Sequence, residues 1–231
     1  MVDCHSHLLP GVDDGVQSME ESLQILREME QQGIRRVWLT PHIMEDIPNE
    51  TLALQRKFWE LLQQYRGAVE LKLAAEYMLD NLFEERLEKE DLLLLEEGKR
   101  FLLVETSYFN PPMDLLSVLQ RIQKKGYYPL LAHPERYEYM QKEDYNTLKE
   151  EHISFQLNLP SLAGMYGKHV QKKAEDLLKA GMYDRMGGDT HSAASYQRFL
   201  QGEICKNIVG FILRQKESVS YTHLTLPTNS L

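Results

Sequence analysis

Residues 1–15 are MVDCHSHLLPGVDDG, and this opening stretch decides how the rest of the chain is interpreted. His5 and His7 are two residues apart after a short apolar start, and alternate residues of a strand point to the same face. Two imidazoles on one face can hold a single metal ion. Asp13 and Asp14 follow in a glycine-flanked loop, from which their carboxylates can turn back over the same place. Taken alone, the stretch is equally compatible with a metal site and with two surface histidines.

The composition limits the classes of function that the chain can have. Its 231 residues are enough for one large domain or two small ones, and a single α/β barrel can use this length. A formal charge of -9 argues against a general binder of nucleic acids or membrane surfaces. Two cysteines far apart, Cys4 and Cys205, predict no disulfide framework and favour a reducing cytoplasm. The sequence predicts neither a signal peptide nor a membrane span.

Short apolar runs alternate with helical patterns along the chain, and no linker or repeat divides it. After the N-terminal strand, the pattern predicts strands at 36–40, 69–75, 100–105, 128–132, 153–158 and 183–187. It predicts helices at about 19–32, 51–66, 79–95, 115–125, 143–151, 169–180 and 195–215. This alternation predicts a parallel α/β fold, either a barrel of seven strand–helix units or, as the alternative, a doubly wound open sheet.

Acidic and imidazole residues recur where these predicted strands end. The candidate metal ligands are His5, His7, Asp14, His42, Glu76, Glu105, His133, Asp189 and His191. In a parallel barrel the carboxyl ends of the strands converge on one face, whereas an open sheet would bring only a few of these residues together. Mixed imidazole and carboxylate sets suit zinc, manganese or iron, and nine ligands could fill two or three sites. Clustered metals are suited to phosphoester hydrolysis. The alternative is that some of these residues are helix caps, loop carboxylates or core histidines.

Several ordered motifs carry a resemblance to a known family. The sequences DCHSHLLPGVDDG, TPH, ETS, HPERY and GDTH resemble the PHP superfamily and, more closely, bacterial tyrosine-protein phosphatases of the CpsB/YwqE type, which act in capsule and exopolysaccharide regulation. The resemblance runs from Met1 to about Gln215. It implies a distorted (β/α)7 TIM-like barrel, which would be a PHP phosphatase domain over residues 1–217. It also implies three divalent metal ions, manganese first, with iron or zinc as alternatives.

The same resemblance implies roles for individual residues. One ion would bind His5, His7, Glu76 and Asp189; a second would share Glu76 and add Glu105 and His133; a third would use Asp14, His42 and His191. Arg136 would bind the phosphate, since a guanidinium fork matches phosphate oxygens. Asp13 would support the loop or a ligand rather than bind an ion. The family usually has a second arginine where this chain has Tyr196, and the nearest substitute is Arg198.

The expected substrate is the phosphorylated, tyrosine-rich tail of an autophosphorylating kinase of capsule synthesis, with no nucleic acid and no membrane insertion. Neither cysteine lies in the C-x5-R loop of cysteine phosphatases, so we expect no phosphorylated residue, and we expect Cys4 to belong to the core. Two alternatives stay open: a phosphatase of small phosphomonoesters such as histidinol phosphate, and a non-catalytic, metal-stabilised module that binds a kinase. Residues 218–231 lack charged side chains, so we predict a disordered or non-native tail and set His223 aside.

Overall fold

A computed structural model of the chain describes residues 1–96, 100–110 and 112–201. The strands are β1 (Val2–Asp3), β2 (Arg36–Leu39), β3 (His42–Ile43), β4 (Glu70–Leu73), β5 (Glu76–Met78), β6 (Leu95–Glu96), β7 (Arg100–Glu105), β8 (Tyr128–Ala132), β9 (Ser154–Asn158) and β10 (Arg185–Gly187). The helices are α1 (Met19–Gln31), α2 (Thr51–Gln64), α3 (Asn81–Lys89), α4 (Leu115–Lys124), α5 (Lys142–Glu150), α6 (Leu159–Leu162), α7 (Lys168–Lys179) and α8 (Ala193–Gln201), with a short 3₁₀ helix at Pro134–Arg136.

The strands form two sheets that are parallel throughout except for β6. The smaller sheet has the order β1-β2-β4, and the larger has the order β10-β9-β8-β7-β5-β3, with β6 antiparallel to β7. The two sheets are continuous with each other. After β2 the chain passes from the smaller sheet into β3 of the larger one, and after β4 it passes in the same way into β5. Hydrogen bonds span the two breaks, from Ala74 N to Leu39 O at 2.9 Å and from Glu76 N to Pro41 O at 3.1 Å. The chain is therefore an α/β structure whose parallel strands curl.

The outer edges of the two sheets also meet. Cys4 N donates to Met186 O at 3.1 Å, Asp189 N donates to His5 O at 2.8 Å, and these bonds place β1 beside β10. Since the paired strands are parallel, their carboxyl ends all lie on one side of the curled sheet. The predicted parallel α/β class is confirmed, and the open doubly wound alternative does not account for these hydrogen bonds.

Local sequence signals account for the first helix. Ser18 caps α1, because its hydroxyl accepts a hydrogen bond from Glu21 N at 3.2 Å. Ile25, Leu26 and Met29 lie on the buried face of α1 and pack in the main core.

A second apolar cluster contains Cys4 with side chains of β2, β7 and β8, as predicted for this cysteine. Within the described ranges, no helix is long and apolar enough to cross a membrane.

The structure corrects several of the predicted elements. The helix predicted at 79–95 ends at Lys89, where Glu90 takes a left-handed conformation with φ 55°, and Leu95 begins β6. The apolar run 92–95 thus follows the helix instead of continuing its buried face. His42 and Glu76 were predicted at the ends of strands, but they begin the short strands β3 and β5. Helix α6 was not predicted. The helix predicted at 195–215 is present as α8 in the described part, and the rest of that prediction, like residues 218–231 and Cys205, lies outside the described residues.

Candidate metal centre

The carboxyl ends of the strands bring all nine predicted ligands into overlapping groups. The groups are His5, His7 and Asp189; His5, Glu76 and His133; His42, Glu76 and Glu105; and His7, Asp14, His42 and His191. Within each group the candidate ligand atoms lie within 4.8 Å of one another. Residues that are up to 186 positions apart in sequence (His5 and His191) therefore share one site. Their identity as metal ligands stays a prediction, and the geometry below supports it.

The N-terminal histidines reach this site because the backbones of β1 and β10 approach closely. An added Cβ at Gly187 would lie 2.4 Å from the Cβ of His5, so only glycine fits there. At Gly15 an added Cβ would lie 2.3 Å from His7 O. The two glycines let the chain pack directly against the segment that carries both imidazoles.

Glu76 and Asp189 both approach the imidazoles of His5 and His7 at the end of β1. The Nε2 atom of His5 lies 3.1 Å from His7 Nε2, 3.0 Å from Glu76 Oε2 and 3.5 Å from Asp189 Oδ1. His7 Nε2 lies 3.3 Å from the same Glu76 oxygen and 3.4 Å from the same Asp189 oxygen. Ligand atoms that bind one ion at about 2.0–2.2 Å lie roughly 3.0–3.6 Å apart. All five distances fall in this range, so His5 and His7 together with either carboxylate, Glu76 or Asp189, offer donor atoms at the spacing that a divalent metal ion requires.

Glu76 contacts imidazoles on both sides of its carboxylate. Its Oε2 faces His5 and His7, while its Oε1 lies 3.1 Å from His133 Nε2. Glu105 also lies near this imidazole, with Oε2 at 3.7 Å from His133 Nε2. The two oxygens of Glu76 therefore face different imidazoles.

His42 and His191 lie on the outer side of the cluster with Asp14. The Oδ1 atom of Asp14 is 3.5 Å from His42 Nε2 and 3.6 Å from His191 Nε2. The other ring nitrogen of His42 lies 3.1 Å from Glu105 Oε1, yet it is buried and has no hydrogen-bond partner in the described chain. The two nitrogens of His42 therefore face two different groups.

Further polar residues orient the candidate ligands. Gln156 Oε1 accepts a hydrogen bond from His5 Nδ1 at 2.9 Å, and Asp13 Oδ2 lies 2.9 Å from His7 Nδ1. Such partners fix which ring nitrogen is available to a metal. Asp13 was predicted to act in this way, whereas Gln156 was missed. Its signal in the sequence is that the polar residues Ser154, Gln156 and Asn158 alternate with apolar residues in this strand.

Two of the candidate ligands have unusual backbone conformations. His133 has φ 34° and Asp189 has φ 47°, in the left-handed region that residues other than glycine rarely occupy. Each such residue costs about 1–3 kcal/mol, and such conformations cluster at functional sites. Each turns the chain directly after a strand, at the point where its side chain enters the site.

Arg136 is in direct contact with the cluster, but Arg198 is not. The Nη1 group of Arg136 donates to Asp189 Oδ2 at 2.7 Å, and Asn158 Nδ2 donates to the same oxygen at 2.9 Å. Arg198 is exposed on α8, while Tyr196 is buried at 5% exposure and lines a small cavity next to Asp189. The position of the missing family arginine is therefore filled by a buried tyrosine.

Comparison with known proteins assigns the chain to a family. The family profile described as "Capsular polysaccharide synthesis, CpsB/CapC" matches residues 1–211. The chain belongs to the CpsB/CapC family. The resemblance stated from the motifs is thereby confirmed at the level of the family.

Curated relatives of this CpsB/CapC chain, and a solved structure to which it is similar, agree with that assignment. It is 29% identical over 199 residues to tyrosine-protein phosphatase YwqE of Bacillus subtilis, covering 83% of this chain and 78% of the relative. It is 29% identical over 220 residues to tyrosine-protein phosphatase CpsB of Streptococcus pneumoniae, covering 87% of both. A crystal structure from work on YwqE and CpsB, described as unique metal-dependent tyrosine phosphatases, superposes with a TM-score of 0.74 at 25% identity, covering 88% of this chain and 87% of that one.

The electrostatics of this CpsB/CapC site favour protonated histidines when no ion is bound. Burial lowers the pKa of His5, but the carboxylates of Glu76 and Asp189 outweigh burial and raise it to about 9. The pKa of His7 is also well above its usual value, because hydrogen bonds to Asp13 and to the same carboxylates outweigh burial. Burial would raise the pKa of Asp189, but the neighbouring histidines hold it well below its usual range. Protons and metal ions should therefore compete for this site.

We expect metal affinity to rise with pH because binding must displace these protons. Between pH 6 and the pKa of about 9 for His5, the affinity for Mn²⁺ should increase about tenfold per pH unit for each proton released. Calorimetric titration of metal-free protein, in two buffers with different ionisation enthalpies, measures the affinity and the number of protons released. Binding without proton release at pH 7 would contradict the prediction.

Proposed function

We propose that this chain is a metal-dependent protein-tyrosine phosphatase that hydrolyses phosphotyrosine. The observation that carries the proposal is the convergence of nine imidazole and carboxylate side chains, in four overlapping groups, beside an arginine bonded to one of them. This arrangement occurs in a chain of a capsular polysaccharide synthesis family whose relatives YwqE and CpsB are named tyrosine-protein phosphatases.

We propose further that the strands form the distorted (β/α)7 barrel of the PHP superfamily. With β2–β3 and β4–β5 each counted as one interrupted strand and β6 left aside, seven parallel strands remain. Hydrogen bonds from the edge strand β1 to β10, together with those that join the two interrupted strands at their breaks, support a closed order. An active site at the carboxyl ends of the strands is where such barrels carry their chemistry.

The proposed cofactor is a set of three divalent metal ions, manganese first, with iron or zinc as alternatives. The proposed sets are His5, His7, Glu76 and Asp189; Glu76, Glu105 and His133; and Asp14, His42 and His191. The distances of 3.0–3.5 Å among donor atoms of the first set support it most directly. When bound, divalent ions supply Lewis acidity toward phosphoryl oxygens and activate water at neutral pH.

The side chains of the protein bind and orient the substrate in this proposal. Arg136 binds the phosphate by its guanidinium fork, which pairs with phosphate oxygens in a fixed geometry. Asp189 holds that guanidinium at the edge of the cluster, since its Oδ2 accepts from Arg136 while its Oδ1 faces His5 and His7. No side chain is phosphorylated. Cys4 is only 2% exposed and packs in the apolar cluster, away from the substrate side.

For the physiological substrate we propose the phosphorylated tail of an autophosphorylating tyrosine kinase of capsule or exopolysaccharide synthesis. The family's link to capsular polysaccharide synthesis supports this choice. Since phosphotyrosine is made from ATP, we place the reaction in the cytoplasm. The open mouth of the site, where Asp14 and His191 keep side-chain exposures of 65% and 31%, is accessible to a residue on a polypeptide.

Chelation and thiol alkylation together test this function. We expect turnover of a phosphotyrosine peptide to vanish with a chelator, to return with Mn²⁺, and to persist after treatment of the metal-loaded protein with iodoacetamide. Inhibition by alkylation with the ions still bound would contradict the proposal. Histidinol phosphate is the comparison substrate, and a higher kcat/KM on it would favour the small phosphomonoesterase. A protein that binds Mn²⁺ but turns over neither substrate would be the non-catalytic module.

A further inference from the structure

The guanidinium of Arg136 lies between two aromatic rings. Its Cζ atom is 4.4 Å from the ring centroid of Tyr108 and 4.2 Å from that of Tyr166. A cation over the face of a tyrosine ring within about 6 Å of the centroid is attracted by the ring quadrupole. A guanidinium is planar, so two flanking rings also restrict its rotation out of one plane.

The third contact of Arg136 fixes one end of the fork within that plane. Its Nη1 group donates to Asp189 Oδ2 at 2.7 Å, and Asn158 Nδ2 holds the same oxygen at 2.9 Å. The Nε and Nη2 groups of Arg136 make no hydrogen bond to any part of the chain that the structure describes. The Arg136 side chain keeps 17% of its surface exposed, so these donors are neither buried nor used internally.

Separate segments supply the two rings. Tyr108 follows β7, its backbone oxygen accepts from Glu138 N at 2.8 Å, and its ring also lies 5.6 Å from that of His133. Tyr166 follows α6, is 38% exposed, and has its hydroxyl 3.5 Å from Asn158 Nδ2. Neither hydroxyl bonds Arg136, so the two tyrosines act on it through their rings.

We propose that Tyr108 and Tyr166 are positioning residues that clamp Arg136. The clamp holds the guanidinium in one plane, with Nη1 on Asp189 and the Nε and Nη2 edge presented to a substrate phosphate. This inference rests on the proposed function of Arg136 as the phosphate-binding residue. It adds that a correctly oriented fork requires both aromatic faces in addition to the Asp189 carboxylate.

Leucine and phenylalanine variants separate the ring from the hydroxyl. Tyr166→Leu and Tyr108→Leu should each raise KM for a phosphotyrosine peptide about five- to tenfold while changing kcat by less than about threefold, since the fork loses orientation but not charge. Inorganic phosphate binding, measured by calorimetry on the Mn²⁺-loaded protein, should weaken by the same factor. Tyr166→Phe and Tyr108→Phe should recover most of both losses. A phenylalanine variant as impaired as its leucine counterpart would overturn the clamp.

A double-mutant cycle with Arg136→Met shows whether the tyrosines act through the arginine. In that background the leucine substitutions should have no further effect on KM, because the guanidinium that they position is gone. A leucine effect of unchanged size in the Arg136→Met background would overturn the inference. If Arg136→Met raises KM and the leucine variants do not, only the clamp is wrong. If Arg136→Met leaves KM unchanged, the proposed role of Arg136 is wrong and the clamp falls with it.

Misfolding is distinguishable from loss of the clamp. A partly unfolded preparation contains less active protein, which lowers the apparent kcat and the metal content but leaves KM unchanged. Tyr166 is the better test of the two because it is partly exposed, and Tyr108 packs deeper. Trp59→Leu is the matched control, since Trp59 is an aromatic residue on α2 with 64% exposure and lies outside the site. We expect it to leave KM and phosphate binding unchanged.

Discussion

Glu76→Gln should lower kcat/KM for a phosphotyrosine peptide by at least about a thousandfold. Glu76 is completely buried, and its two oxygens face four ring nitrogens: those of His5, His7 and His42 lie near Oε2, and that of His133 lies near Oε1. An amide offers one neutral oxygen and one N–H₂ group, so it cannot bridge two cations. Loss of about 4 kcal/mol of transition-state stabilisation corresponds to this factor, and clustered metal ions supply several kcal/mol.

The metal content of the Glu76→Gln protein should fall together with its activity. Elemental analysis after gel filtration measures the bound ions per chain, and steady-state kinetics at saturating Mn²⁺ shows whether added metal restores turnover. Glu70→Gln is the matched control, because Glu70 also belongs to this strand run but forms an exposed ion pair with Arg36. It should retain full metal content and activity. A Glu76→Gln protein with wild-type metal content and turnover would remove Glu76 from the proposed centre.

The alternation of strands and helices could be predicted because local signals agree with the tertiary structure. In α1, for example, Ser18 caps the start, apolar residues at helical spacing face the core, and Gly33 follows with φ 79°. Strand β7 was predicted within its true bounds, since a short apolar run ending on Glu105 has no competing helical pattern. Where several independent signals coincide, a single sequence is sufficient.

The errors lie where tertiary pairing overrides local pattern. The leucines at 92–95 continue the apolar periodicity of the preceding helix. Leu95 nevertheless pairs with β7 in an antiparallel arrangement, which no local sequence signal predicts. At the break between β4 and β5, hydrogen bonds likewise run to a distant segment, to Leu39 at the end of β2 and to Pro41 after it. Such pairing is decided by distant segments, so periodicity within one segment cannot predict it.

The convergence of the site followed from one geometric rule, but its fine structure did not. Polar residues at the ends of parallel strands, such as Glu105 and His133, were expected to meet because those ends share one side. Which ligands neighbour which depends on side-chain rotamers: Glu105 faces His42 at 3.1 Å more closely than His133 at 3.7 Å. The tyrosines beside Arg136 follow β7 and α6, in loops whose path the sequence alone does not determine.

Arg136→Lys should lower kcat/KM for a phosphotyrosine peptide about tenfold to a hundredfold, and Arg136→Met should lower it further. Lysine keeps the positive charge but lacks the planar fork, so it can neither pair with two phosphate oxygens nor remain stacked between the rings of Tyr108 and Tyr166. Methionine removes the charge as well, and loss of one preorganised donor group typically costs a hundredfold to a thousandfold, roughly. Kinetics on the Mn²⁺-loaded variants measure both steps.

The metal content separates this loss from that of Glu76→Gln. Arg136 contacts Asp189 through an oxygen that does not face His5 and His7, so the Arg136 variants should keep their ions while losing phosphate affinity. Arg27→Met, on the exposed face of α1, is the control and should leave kcat/KM unchanged.

Arg198→Met tests the second predicted arginine: because Arg198 is exposed on α8 and Tyr196 fills the family position, we expect a loss of less than about threefold. A larger loss in Arg198→Met than in Arg136→Met would transfer the phosphate-binding role to Arg198, since only a residue that reaches the bound phosphate can affect kcat/KM to that extent.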